Sequence, residues 1–264
     1  MKFPFAVQGI QNQASNIMKE DKEKKIMQDQ LKIQGEGIAI RSWTKVILFI
    51  AATACLTRFI PFSSFFRNVD TLIHELSHAL VTLVLSGKVM YIHLFSNQSG
   101  VTYSAYTSTL KAIPISLAGY IGASLFAVLL FYLHARKQEA AGLIAIASLA
   151  LISLILFVRN GYGMMWCAGF VALTGLIWQF APPWLRSGYY LLIAFICLVE
   201  SVISSVYLVF LSIRMPNGAG DAANLSHVTY IPAIVWALLF AAISLWCARW
   251  SMSILFRGTR KGSM

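Results

Sequence analysis

Apolar segments separated by short polar stretches run through most of the 264-residue chain. A transmembrane helix needs about 20 apolar residues, within a range of about 17–25. Seven segments reach or approach this length, at residues 46–60, 69–85, 112–133, 143–158, 164–180, 189–213 and 230–246. The pattern therefore predicts an all-α polytopic membrane protein with six to seven transmembrane helices.

The polar stretch after the second segment follows a different pattern. Apolar and polar positions alternate in part between residues 89 and 102, and the residues at 97–100 (Asn, Gln, Ser, Gly) are typical of a turn. We therefore expect a small β-hairpin directly after the second helix.

Composition narrows the class of protein further. Apolar residues make up 58% of the chain and charged residues only 12%, with a mean hydropathy of +0.70. An ordinary soluble domain carries about 25% charged residues. The four cysteines lie inside apolar segments and form no CxxC pair. These values exclude a cytosolic globular protein, a disordered chain and a disulfide scaffold.

The net charge of +11 favours a membrane location over nucleic-acid binding. Cytoplasmic loops and tails of membrane proteins carry excess lysine and arginine, and the basic residues here form no patch with interleaved aromatic side chains. We expect the lipid bilayer as a partner and no nucleic acid. The predicted organisation is a basic cytoplasmic tail at residues 1–45, a membrane-embedded domain at residues 46–250 and a basic C-terminal tail at residues 251–264.

The two basic tails also constrain the number of crossings. Seven full crossings would place them on opposite sides of the membrane, against the positive-inside rule. We therefore expect six crossings with both tails cytoplasmic. The segments at residues 143–158 and 164–180 are short, so we expect one of them to be re-entrant, strongly tilted or merged with the other around Arg159 and Asn160. That arrangement would bring Arg159 and Asn160 close to the functional site.

The second segment contains a motif whose residues can bind a metal ion and catalyse a reaction. His74, Glu75 and His78 form an HExxH sequence inside an apolar helix, where ionisable residues are costly and usually functional. Residues four apart share a helix face, so both imidazoles can bind one Zn²⁺. Glu75 stands beside the first ligand and can act as the general base and then the general acid for an attacking water.

The sequence around this motif resembles the M50B-like branch of the membrane-embedded zinc metallopeptidases, in the site-2-protease clan. Four further stretches carry the resemblance: the turn with Ser99, Gly100 and Thr102, AGYIG at residues 118–122, RNGYG at residues 159–163, and GDAANLSHVTYIP near residue 221. The resemblance extends over residues 70–246. It implies a zinc-dependent intramembrane peptidase whose third metal ligand is an aspartate from a later helix.

Asp221 is our first choice for the third ligand, because it is the sole acidic residue after Glu200. Its alternative role is a helix N-cap. Glu200 is the second choice, and its alternative role is a structural ion pair with Arg159. The remaining histidines complete the list of candidates: His93, His134 and His227. We place His74 near the start of a helix that begins at residue 69. If the second to sixth segments all cross the membrane, Asp221 would emerge on the opposite face, and one crossing fewer removes this difficulty.

Arg159 and Asn160 interrupt an apolar run, and two roles are open for them. They can stabilise an oxyanion or orient a ligand carboxylate, or they can form an interfacial turn between helices.

The leading functional hypothesis is a multi-pass zinc metalloendopeptidase of a bacterial cell membrane. Its substrate would be a membrane protein or a membrane-bound peptide. The alternatives are a non-catalytic scaffold or regulator derived from such a peptidase and a transporter, and the lack of inverted repeats argues against the transporter.

Overall fold

A computed structural model describes residues 63–261 continuously, together with residues 44, 47, 48, 51, 53–55 and 59. The predicted N-terminal tail and most of the first apolar segment lie outside the described residues, so the expectations about them stay predictions. Within residues 63–261 the chain forms seven α-helices and one two-stranded sheet. The elements are α1 (Ser63–Val84), β1 (Lys88–Leu94), β2 (Gly100–Ala105), α2 (Ala112–Ala135), α3 (Glu139–Leu156), α4 (Gly161–Phe180), α5 (Pro183–Arg214), α6 (Gly220–Thr229) and α7 (Ala233–Lys261).

Five of these helices are long and apolar enough to cross a membrane, namely α2, α3, α4, α5 and α7. Helix α1 is 22 residues long but carries Arg67, Asp70 and Glu75. The prediction of a helical polytopic fold with a hairpin after the HExxH helix is confirmed.

Helix α2 lies at the centre of the helical packing. It contacts α1, α5 and α7, whereas α3 packs chiefly against α4. Hydroxyl groups connect the helices internally, because lipid offers them no partner. Tyr190 in α5 donates a hydrogen bond to the carbonyl of Leu130 in α2 over 2.8 Å, and the hydroxyls of Ser205 and Ser244 lie 2.6 Å apart between α5 and α7.

The hairpin pairs β1 with β2 in antiparallel register, with Ile92 opposite Thr102. The link between α3 and α4 covers the outer edge of β1. Ile92 donates its N–H to the carbonyl of Phe157 over 2.8 Å, and its carbonyl accepts the N–H of Arg159 over 3.2 Å. The Asn160 side chain accepts the N–H of Leu94 over 3.1 Å and donates to the Leu94 carbonyl over 2.6 Å.

Residues 139–180 form two separate helices, so the two segments are not merged around Arg159 and Asn160. The expectations of a re-entrant or strongly tilted segment and of six crossings stay predictions. Arg159 instead donates its guanidinium hydrogens to four carbonyls at the end of α3: Leu154, Ile155, Leu156 and Val158. A cation at a helix C-terminus satisfies free carbonyls and is favoured by the helix dipole. The two residues therefore terminate a helix and hold the hairpin, which favours the predicted turn between helices over a role in the chemistry.

We predict that Asn160→Ala destabilises the protein. The substitution leaves both backbone groups of Leu94 without their partner, which costs about 1–3 kcal/mol for an unsatisfied buried group. The midpoint of thermal unfolding in detergent should fall, whereas Asn217→Ala at an exposed turn residue should leave it unchanged. An unchanged midpoint for Asn160→Ala would show that the link does not stabilise the hairpin.

Candidate metal centre

Helix α1 presents His74 and His78 from its second half. The helix begins at Ser63 rather than at residue 69, because polar residues such as Arg67 and Asn68 continue the helix among buried groups. The expectation that His74 lies near the start of its helix is therefore wrong. The motif instead lies just past the middle of α1.

Three ligand atoms meet at this point. The Oδ2 atom of Asp221 lies 3.2 Å from Nε2 of His74 and 3.2 Å from Nε2 of His78. The two Nε2 atoms are 3.0 Å apart. In the part of the chain that the structure describes, this is the one group of three or more such side chains close enough to hold a metal ion.

The size and support of this triangle fit a metal ion. Zinc bonds of 2.0–2.1 Å in tetrahedral geometry place neighbouring ligand atoms about 3.3 Å apart. Nδ1 of His78 lies 2.6 Å from the carbonyl of Ile115, a contact in which Nδ1–H donates and Nε2 stays free for a metal. A Cβ atom at Gly119 of α2 would come within 2.5 Å of both Nε2 atoms, so only glycine leaves room there. Gly119 belongs to the AGYIG stretch at residues 118–122, and its contact with the imidazoles gives this stretch a place at the metal centre.

Helix α6 brings Asp221 to the site because one face of the helix is anchored. Ala222, Ala223 and Leu225 pack into an apolar cluster with α5 and α7. Asp221 lies on the other face, at the border of a cavity. The preceding Gly220 has a φ of +46°, a conformation that glycine adopts without steric cost and that starts α6 abruptly.

The charge of Asp221 suits a ligand. Burial raises the pKa of its carboxyl group, but the charge of His78 and hydrogen bonds from both histidines outweigh burial and bring the pKa well below its ordinary value. The carboxylate form that metal coordination requires is thus favoured beside protonated imidazoles, and a bound cation would favour it in the same way.

Glu75 is buried beside the ligands and held by β2. The Thr102 hydroxyl donates to Oε2 of Glu75 over 2.7 Å and lies 3.0 Å from the Glu75 carbonyl. A Cβ atom at Gly100 would come within 2.7 Å of the Glu75 side chain, so this position also requires glycine. Sequence reasoning noticed Ser99, Gly100 and Thr102 as a turn but missed that Gly100 and Thr102 contact Glu75, because strand register is not visible in the sequence.

A cavity of about 360 Å³ opens beside the three ligands. Its walls come from α1, β2, α2 and α6, and they include Thr102, Ser116, Tyr120 and Asn224. The N–H and carbonyl of Ile92 bond to the α3–α4 link and not to β2. Ile92 and Thr102 therefore form a non-hydrogen-bonded pair of the antiparallel ladder. In such a pair the N–H and carbonyl of Thr102 point away from β1. Among the described residues, no other strand pairs with that edge of β2.

The other candidate ligands lie elsewhere. Glu200 forms an ion pair with Arg67 over 2.8 Å, so the predicted partner Arg159 is wrong. His134 lies 3.0 Å from Glu139 at the turn between α2 and α3. The last two histidines are apart from the centre: His93 stacks on Tyr91 in the hairpin, and His227 is exposed on α6.

We predict that His74→Ala, His78→Ala and Asp221→Ala each abolish metal binding. Two remaining ligands cannot hold the ion against water, since a catalytic site has three protein ligands. The metal content of the detergent-purified protein, measured by elemental analysis, should fall from about one ion per chain to almost none. Glu200→Gln is the matched control and should retain the metal. Metal loss in that variant, or metal retained by Asp221→Ala, would indicate that Glu200 and not Asp221 is the third ligand.

Comparison with known proteins agrees with the geometry. The model of the Peptidase M50B-like family matches residues 45–251, which include α1 to α6 completely and α7 as far as residue 251. No curated protein and no solved structure matches the chain. Because the family match covers most of the sequence and the helices are long enough to span a bilayer, the chain is an integral membrane protein that belongs to the Peptidase M50B-like family.

Proposed function

We propose that this protein is an intramembrane zinc endopeptidase that hydrolyses a peptide bond in or near the membrane segment of another protein. The observation that carries the proposal is the meeting of three ligand atoms from His74, His78 and Asp221 within 3.2 Å of one another. Glu75 adjoins them in sequence, and a cavity large enough for an extended peptide backbone opens beside them.

Two imidazole nitrogens and one carboxylate oxygen form a donor set typical of catalytic zinc. A zinc ion held by these three residues would keep its fourth coordination position for water or substrate. When bound there, Zn²⁺ would polarise the scissile carbonyl and make an attacking water more acidic. The complete set supports a peptidase over a non-catalytic scaffold, because a scaffold has no need of three metal ligands.

Glu75 performs the proton transfers in this proposal. Its carboxylate takes a proton from the water as the water oxygen bonds to the carbonyl carbon. It then delivers that proton to the amide nitrogen as the C–N bond breaks, so the products are a carboxylic acid and an amine. Thr102 holds Oε2 of Glu75 in place by its 2.7 Å hydrogen bond, and the other oxygen can then face the water.

The edge of β2 supports binding of an extended substrate. An intact helix hides its carbonyl groups in hydrogen bonds, so a substrate segment must unwind before hydrolysis. The outward backbone groups of Thr102 offer strand pairing to such a segment, and Thr102 also contacts Glu75. A segment added at this edge would thus lie next to the catalytic base. The α3–α4 link occupies the opposite edge, which leaves the β2 edge as the one beside the site. The membrane-protein substrate and the bacterial cell membrane stay predictions.

We predict that Glu75→Gln abolishes hydrolysis and leaves zinc bound. The carboxylate is needed for proton transfer and not for coordination, so cleavage should fall by about 10²–10⁴-fold. The assay uses detergent-purified protein with fluorescently labelled casein and with a tagged single-span helix in the same micelle.

The metal content of the same samples separates the two possible causes of inactivity. Thr102→Val is the matched variant, since it keeps the strand edge and removes the hydroxyl that holds Glu75; it should lose activity to a smaller extent. Cleavage by Glu75→Gln at the wild-type rate would rule out this mechanism.

We also predict that substrate unwinding limits cleavage. A single-span substrate with a Gly-Pro pair near the end of its helix should be cut faster than a matched Leu-Ala version, because proline removes a helical hydrogen bond and clashes with the preceding turn. Product bands from the two substrates at equal concentration give the comparison. Equal rates would argue against capture of an extended segment.

A further inference from the structure

A second cavity, separate from the metal centre, forms a groove between α3 and α4. Its volume is about 150 Å³, and its walls are mostly apolar. On α3 the groove runs from Leu143 to Leu151, a distance of about 12 Å at the helical rise per residue. This length approaches the depth of one leaflet of hydrocarbon, about 15 Å. The groove faces outward, since Leu151 and Trp178 on its walls are exposed.

Gly175 of α4 keeps the groove open. A Cβ atom at this position would meet no other atom within 4 Å. Water is a poor occupant of such a place in a bilayer, because apolar walls offer it few hydrogen-bond partners. A hydrocarbon chain has no polar groups to satisfy and fits a narrow apolar groove that runs along two spanning helices.

One end of the groove has the features of a membrane–water interface. Helix α4 ends and α3 begins there, and Ser187 of α5 donates a hydrogen bond to Glu139 of α3 over 3.4 Å, which brings the two turns side by side. Tyr132, Trp178 and Trp184 are exposed within one turn of these helix ends. Tryptophan and tyrosine side chains are enriched at the level of the lipid headgroups.

Arg186 lies at this end of the groove. It donates from Nη2 to the carbonyl of Ala181, just after the end of α4, over 3.2 Å. Three residues further on, the Tyr189 hydroxyl lies 2.8 Å from that of Thr174 in the groove wall, so Arg186 is one helical turn from the groove on the interfacial side. The Nε atom of Arg186 is buried and has no hydrogen-bond partner among the described residues. A buried donor of this kind calls for an acceptor that protein atoms do not supply.

The surroundings of Arg186 are positively charged. Residues 135–140 and 181–188 together carry three basic residues and one acidic residue. The acidic residue, Glu139, is already engaged by Nδ1 of His134 at 3.0 Å and by Ser187. Lys137 is exposed at the α2–α3 turn. Helices α3 and α5 both begin at this end, and the dipoles of their N-termini add to the positive potential.

The geometry points to a lipid site: we propose that an anionic phospholipid binds between α3 and α4, with one acyl chain along the groove and its phosphate at Arg186 and Lys137. The phosphate supplies the acceptor for Nε of Arg186, and the chain fills the space beside Gly175. Charge favours an anionic headgroup over a zwitterionic one. This inference goes beyond the proposed peptidase function and does not depend on it.

The test measures contact between a lipid chain and Trp178. Phosphatidylglycerol and phosphatidylcholine with the same brominated chains, which quench tryptophan fluorescence on contact, are titrated into micelles of the full, detergent-purified chain. The difference between the wild type and Trp178→Phe isolates the signal of Trp178. Half-quenching should need about tenfold less phosphatidylglycerol than phosphatidylcholine, the effect of a hydrogen bond to a charged group.

Two variants separate the groove from the charge. Gly175→Leu fills the groove and should remove most of the quenching of Trp178, whereas Ala168→Leu, at an exposed residue of α4 outside the groove, should leave it unchanged. Arg186→Gln should bring phosphatidylglycerol to the level of phosphatidylcholine. Arg214→Gln, at the other end of α5, is its control and should keep the preference.

Four outcomes would overturn the lipid site. Equal half-quenching by both lipids in the wild type would remove the role of charge, and that comparison needs no groove variant. Undiminished quenching in Gly175→Leu would show that the chain lies elsewhere. Inorganic phosphate that abolishes the preference without displacing the chain would assign the cations to a free anion. A detergent-stable dimer that Gly175→Leu dissociates, with no lipid preference, would assign the groove to a second copy of the chain.

Discussion

The convergence of three ligand atoms between apolar helices is the constraint on which the structure depends. Polar groups in such surroundings are costly unless each has a partner, and His74, His78 and Asp221 have one another. Residues of the neighbouring helix α2 make room for these groups and orient them. Gly119 makes room against the imidazoles, and Ile115 supplies the carbonyl that orients His78. A side chain larger than hydrogen at Gly119 would displace the very nitrogens that must bind the metal.

The two edges of the hairpin have different roles: the β1 edge contributes to stability, and the β2 edge is available for binding. Residues 157–160 cover the edge of β1 with backbone and side-chain hydrogen bonds, so that edge cannot accept another strand. The edge of β2 borders the cavity, and Thr102 on that strand also holds Glu75. A single strand therefore connects the position of the base with the place where a substrate backbone can pair. The same link explains why Asn160 belongs to the support of the site and not to its chemistry.

Helix α1 tolerates unusual polarity because its polar residues face other helices. Arg67 pairs with Glu200 of α5, and Asn68 donates to the hydroxyl of Tyr162 in α4 over 2.6 Å. These contacts supply partners that lipid cannot offer. They also extend α1 toward its N-terminus, so that the HExxH motif lies just past the middle of the helix.

The sequence by itself determined the class of fold, the hairpin and the metal-binding motif, because each depends on local patterns: apolar runs, alternation with turn residues, and a four-residue helical spacing. The pairing of Glu200 with Arg67, the capping role of Arg159 and the contacts of Gly100 and Thr102 with Glu75 were decided only by the tertiary structure. These are contacts between residues distant in sequence, and no local pattern records them. Asp221 is the intermediate case: as the sole late acid it could be singled out from the sequence, but its meeting with His74 depends on how α6 packs against α5 and α7.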